Sequence, residues 1–134
     1  MNVKNVASMS VVLMVLSIAT HALADNCKDP KVEVVNDRSA AIKVAKFQYF
    51  DSCDGKWRTE DVSNVEIEAG KSHTFTDDLG YVGNCKITKF KFYRALRQST
   101  GSGYSSYEWG GELTPDGGAK TCNTGVKFTV HVHE

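Results

Sequence analysis

From Val126 to His133, apolar and polar residues alternate without a break. Val126, Phe128, Val130 and Val132 fall on one side, and Lys127, Thr129, His131 and His133 on the other. A period of two places successive side chains on opposite faces of a strand, so this segment has one face to bury. After residue 24 the chain keeps to strand-type runs and turn clusters, with no amphipathic helical window of useful length. Such runs occupy residues 31–36 (KVEVVN), 41–51 (AIKVAKFQYFD), 56–62 (KWRTEDV), 65–68, 72–76, 86–97 (KITKFKFYRALR) and 107–113. Turn formers such as Asp54-Gly55 and Ala69-Gly70 separate them. Half-buried strands without helices are satisfied by sheets stacked face to face. The pattern predicts an all-β fold, a small antiparallel β-sandwich of seven to eight strands, with a small β-barrel as the alternative. The run 41–51 slips in phase near Ala45-Lys46: Ile42 and Val44 have one parity, Phe47 and Tyr49 the other. Such a slip predicts a β-bulge or a strand serving two environments.

The first 24 residues read differently. Lys4 is followed by an apolar run, Val11 to Ala19, broken only by Ser17, and then by Ala22-Leu23-Ala24. This is the layout of a secretory signal peptide cut after Ala24. The apolar run is too short to span a bilayer, which takes about 20 residues. The division is therefore residues 1–24 as signal peptide and 25–134 as a single exported domain, secreted or periplasmic. The leader holds one basic residue and no acid, so the remainder carries 15 Lys plus Arg against 16 Asp plus Glu. That balance argues against nucleic acid and anionic membranes as general partners, because both select a basic excess.

All four cysteines, Cys27, Cys53, Cys85 and Cys122, lie beyond the cut. An even count in an exported chain of this size predicts two disulfides. No two cysteines have the short gap typical of structural zinc sites. Residues 25–27 do not match the small apolar triplet that precedes a lipid-modified cysteine. Cys27 precedes the first run and Cys53 follows the second, so a hairpin of those runs would pair them. Cys85 opens the run 86–97, and Cys122 follows its return strand. The expected bridges are Cys27–Cys53 and Cys85–Cys122.

The inventory of reactive groups excludes most catalytic readings. There is no G-x-S-x-G elbow and no H-E-x-x-H, and disulfides would consume every thiol. The acid pairs Glu66/Glu68 and Asp77/Asp78 read as solvated surface, and residues 51–55 read as a turn. No enzyme and no cofactor is implied. His131 and His133 share one strand face beside Glu134, and His73 is a further nitrogen, so a weak zinc or copper site is one reading. Exposed histidines near a frayed end are the plainer one.

Binding has a better case. Tyr104, Tyr107 and Trp109 cluster in GSGYSSYEWGG. Rigid aromatics among small mobile residues make a recognition surface, although Trp109 would serve equally as core. Beside them, Lys89 and Lys91 lie on a mixed basic face of the run 86–97, together with Ile87, Tyr93 and Arg97. The alternative for those lysines is protection of a sheet edge. The expected function is an exported binding module that takes a protein or glycan through an aromatic hairpin. A secreted or periplasmic inhibitor or immunity-type protein is one alternative. A membrane-active cytolysin using the same aromatics is another, although stable membrane insertion lacks a long amphipathic segment to support it.

Overall fold

A computed structural model describes residues 25–134; the leader and its expected cleavage point lie outside the described residues. Eight strands follow one another: β1 (Lys31–Asn36), β2 (Ile42–Asp51), β3 (Lys56–Ile67), β4 (Ser72–Thr76), β5 (Lys86–Leu96), β6 (Glu108–Trp109), β7 (Lys120–Thr121) and β8 (Lys127–Val132). They build a three-stranded sheet in the order β4-β1-β8 and a five-stranded sheet containing β3-β2-β5-β6, with β7 also paired to β5. Among the described residues there is no helix, and so none long and apolar enough to cross a membrane. The sandwich expected from the alternation is the fold, with two separate sheets rather than a barrel.

The two sheets meet through aromatic rings. Phe47 of the large sheet lies 6.1 Å from Phe75 of the small one, and Phe90 lies 5.3 Å from Phe128. Val32, Val34, Phe128, Val130 and Val132 supply the rest of the small sheet's inner face, all essentially inaccessible to solvent. On the large sheet, Ile42, Val44, Phe47 and Tyr49 are all buried. They share one face because β2 slips register between Val44 and Lys46 against both neighbours. The phase slip in the sequence is therefore a bulge, and the two apolar pairs face the same way rather than opposite ways. A second irregularity, between Tyr49 and Asp51 opposite β5, turns Ile87 into the core alongside Phe90 and Phe92. Ile87 does not share the outer face of Lys89 and Lys91.

The order of strands differs from the expected hairpins. β1 does not pair with β2. It lies between β4, antiparallel, and β8, parallel, in the other sheet. β3 is one strand of twelve residues rather than two short ones, and β4 crosses to the small sheet instead of folding back on it. The chain crosses between sheets after β1, β3, β4 and β7.

Asn36 organises the first two of these crossings. It is completely buried. Its Nδ2 donates to the carbonyls of Ala40 and Ile67, both at 2.9 Å, and of Glu68 at 3.2 Å; its Oδ1 accepts from Arg38 N–H at 3.2 Å. Its backbone N–H donates to Lys71 at 2.9 Å, and its carbonyl accepts from Gly70 N–H at 2.8 Å. Gly70 has φ +68°, the left-handed conformation that favours glycine. One amide thus satisfies carbonyls from both connections where water is excluded.

The disulfides are Cys27–Cys122 and Cys53–Cys85, not the pairs expected from the sequence. The expected pairing failed because β1 and β2 belong to different sheets, so Cys27 and Cys53 are not brought together by a hairpin. Cys85 and Cys122 are backbone neighbours, with Cys122 N–H donating to the Cys85 carbonyl at 2.8 Å. Their sulfurs nevertheless join different partners: Cys53 follows the end of β2, and Cys27 bridges to Leu79.

A non-reducing peptide map is expected to recover Cys27–Cys122 and Cys53–Cys85. Replacing the first pair with alanines removes the closure of a 95-residue separation, against 32 for the second. Loop-closure entropy then makes the first variant less stable than the second by about 1 kcal/mol in denaturant titrations. Asn36→Ala strands buried carbonyls and is expected to cost about 3 kcal/mol by the same measurement.

Candidate functional site

The bulge in β2 sends Phe47 and Tyr49 inward, which leaves Lys46, Gln48 and Phe50 on the outer face of the large sheet. Cross-strand partners share a face. Phe50 is opposite Trp57, Gln48 opposite Thr59 and Lys91, Lys46 opposite Tyr93, and Tyr93 opposite Trp109. The outer face therefore collects aromatic and polar side chains from four strands.

Its largest cluster is centred on Tyr93. The Tyr107 ring stacks on it at 5.6 Å, and the Trp109 ring lies tilted at 5.2 Å. Tyr107 O–H donates to Asn64 Oδ1 of β3 at 3.0 Å. Because β2 and β5 lie between β3 and β6, this side chain lies across the sheet. A second cluster joins Phe50 and Trp57 edge to face at 5.4 Å, with Lys91 Nζ 4.3 Å above the Trp57 ring. A third places Lys43 Nζ 4.3 Å over the Tyr104 ring and 3.9 Å from Glu66. Each ammonium is attracted by the quadrupole of the ring beneath it.

Tyr107 and Trp109 thus lie together, as their two-residue spacing predicts. Trp109 is 40% exposed and does not complete the core. Tyr104 stands apart from them, over Lys43. The return segment is shorter than expected: only Glu108 and Trp109 form a strand, with isolated bridges at Tyr104 and Leu113. Lys89 and Lys91 flank Glu112, at 2.5 and 3.9 Å. The Lys89 hydrogen bond holds the Glu112 carboxyl below the ordinary carboxylate range. These lysines do not protect an edge, since β5 has neighbours on both sides. Asn64, Phe50, Trp57 and Glu112 complete the face. Phe50 and Trp57 had a local signal, since they sit one residue outside the Asp51 and Lys56 pair that closes the turn of residues 52–55. Asn64 and Glu112 arrive through tertiary proximity and had none.

His131 and His133 do lie on one face, with rings parallel at 5.9 Å. Both His131 nitrogens are already engaged: Nδ1 lies 2.6 Å from Asp37 Oδ2, and Nε2 lies 3.2 Å from Asp116 Oδ2. His133 Nδ1 lies 3.4 Å from the same Asp37 oxygen. Hydrogen bonding to Asp37, helped by Asp116 and opposed by burial, raises the His131 pKa above the ordinary histidine value. An imidazolium donating to two carboxylates has no lone pair for a metal. Glu134 instead accepts from the hydroxyl and N–H of Ser39. His73 pairs across β1 with Val34, whereas His131 pairs with Val35, so the two lie on opposite faces of the small sheet. Among the described residues, the donors drawn within 4.8 Å of one another as a trio are Asp51, Cys53 and Cys85, and there the two sulfurs form a disulfide.

Asp51 is fully buried and paired with Arg58 at 2.9 Å, while Arg58 also reaches Asp54 at 2.5 Å. Asp51 Oδ1 accepts from Cys53 N–H at 2.9 Å, so the last residue of β2 closes a turn over residues 52–55. Comparison of the chain with protein-family models, with curated proteins and with solved structures returned no match.

The His131 clamp has a defined pH signature. A raised folded pKa means the stabilisation is complete below the unfolded histidine value of about 6.5 and is lost as pH rises through the folded value. In urea titrations from about pH 6 to pH 9, the stability gap between wild type and His131→Gln is expected to shrink with rising pH.

Proposed function

We propose that the chain is an exported, disulfide-stabilised binding module that recognises a glycan through the outer face of its large sheet. The observation that carries this reading is the Tyr93, Tyr107 and Trp109 cluster, presented to solvent beside hydrogen-bonding side chains. A sugar ring offers an apolar C–H face and a rim of hydroxyls. The aromatic rings exposed on the outer face match the first, and Gln48, Asn64, Lys91 and Glu112 match the second. A protein partner of high affinity is better served by aromatic anchors seated in a dry, fully desolvated centre. Here each aromatic cluster is interleaved with charged or amide groups.

Export is supported by the leader pattern and by two disulfides, which persist in oxidising compartments. The reading needs neither cofactor nor catalytic group.

The test is a glycan array probed with the oxidised chain, followed by titration of the best-bound oligosaccharide. Trp109→Ala is expected to weaken binding by about 2 kcal/mol, roughly thirtyfold. Tyr107→Phe, which removes only the Asn64 hydrogen bond, is expected to weaken it less. An array without a saturable hit, or equal affinity in Trp109→Ala, would sink the glycan reading. N-terminal sequencing of the exported chain is expected to begin at Asp25.

A further inference from the structure

One charged residue of β5 faces the wrong way for a surface strand. Arg94 pairs with Val44 of β2 and so has the inward parity of Phe90 and Phe92. It is half-buried, yet among the described residues no carboxylate lies within ion-pair distance of it and its side chain donates no hydrogen bond. Arg38, nearby, likewise pairs with no carboxylate, and its Nε is buried without a partner. The Arg94 nitrogens stay open to solvent, so its charge is only partly desolvated, and arginine cannot escape that cost by deprotonating. Burial and the proximity of Arg38 lower the Arg94 pKa, against a weaker opposing effect from its cross-strand neighbour Glu108.

The chain makes room for this guanidinium. A Cβ on Gly110 would come within 3.2 Å of Arg94 Nε and 3.3 Å of Cζ. Beside it opens a cavity of about 210 Å³ whose lining includes Phe92, Arg94, Gly110, Leu113, His133 and Glu134. It lies on the inner side of the sheet, away from the outer aromatic face, and is independent of the glycan reading.

We propose that this cavity is a binding site for a small organic monocarboxylate. The guanidinium fork matches a carboxylate with two parallel hydrogen bonds. Phe92 and Leu113 give apolar walls for the attached carbon skeleton. Glu134 in the same lining adds a negative charge to the site, so a singly charged acid fits better than a phosphate dianion. The volume equals that of about seven water molecules, which limits the ligand to a compact acid.

The experiment is calorimetric titration of the oxidised chain with benzoate and, separately, with inorganic phosphate. Saturable benzoate binding is expected, stronger than phosphate, and at least tenfold weaker in both Arg94→Met and Gly110→Val. Gly110→Val keeps the guanidinium and fills the space beside it, so the pair separates loss of charge from loss of room. Arg94→Met removes an unpaired charge and is expected to be at least as stable as wild type in urea. Glu108→Gln is expected to retain benzoate binding, which distinguishes a ligand site from a loose Arg94–Glu108 pair. Unchanged binding in Arg94→Met, preference for phosphate, loss of binding in Glu108→Gln, or no saturable binding of either anion each overturns the assignment.

Discussion

The amide of Asn36 is where the two sheets are tied to each other. β1 must leave the small sheet and become β2 in the large one, and β3 must make the reverse crossing into β4. Both connections run past the same buried point, and each carries carbonyls that water cannot reach there. A primary amide provides two donor hydrogens and an acceptor on one short side chain. Asn36 uses them on Ala40, Ile67, Glu68 and Arg38. Aspartate has no hydrogens to give those carbonyls, and a hydrophobic residue would leave them bare. The bulge in β2, the Phe47–Phe75 contact and the outer aromatic face all depend on the sheets being stacked in this register.

Much of this was legible locally. The alternation in β8 identifies its buried face residue by residue, and the phase slip at Ala45-Lys46 marks a place for either a bulge or a strand serving two environments, of which the bulge is found. Tyr107 and Trp109 were placed together by their spacing alone. What was not legible is non-local. Nothing in KVEVVN says that it lies between β4 and β8 rather than beside β2, because its alternation fits any neighbour. The cysteine pairing followed that error, since all four converge through backbone contacts whose partners depend on topology. β6 and β7 are two residues each, too short to carry a period. Asp37, Asp116, Asn64 and Glu112 come from turns, bulges and loops and meet their partners only in three dimensions. Arg94 is the exception: its place on the face of Phe90 and Phe92 follows from strand parity alone.

Charge is handled differently in different parts of the surface. On the outer sheet face, lysines are held by Glu112 and Glu66 or lie over aromatic rings. At the far end of β8, an imidazolium is shared between two aspartates. Asp51 is buried against Arg58. Against this pattern of local compensation, Arg94 stands out because no carboxylate among the described residues pairs with it.

The parallel pairing of β1 with β8 has a consequence for how the molecule is made. The first and last strands lie side by side along their whole registers, from Lys31 with Lys127 to Asn36 with Val132. A chain made amino end first cannot complete the small sheet until β8 is free. β1 waits with one edge unpaired, and Cys27 waits for Cys122. Contacts of such long sequence separation form slowly. The fold therefore withholds its closed state until β8 has been made and is free to pair with β1.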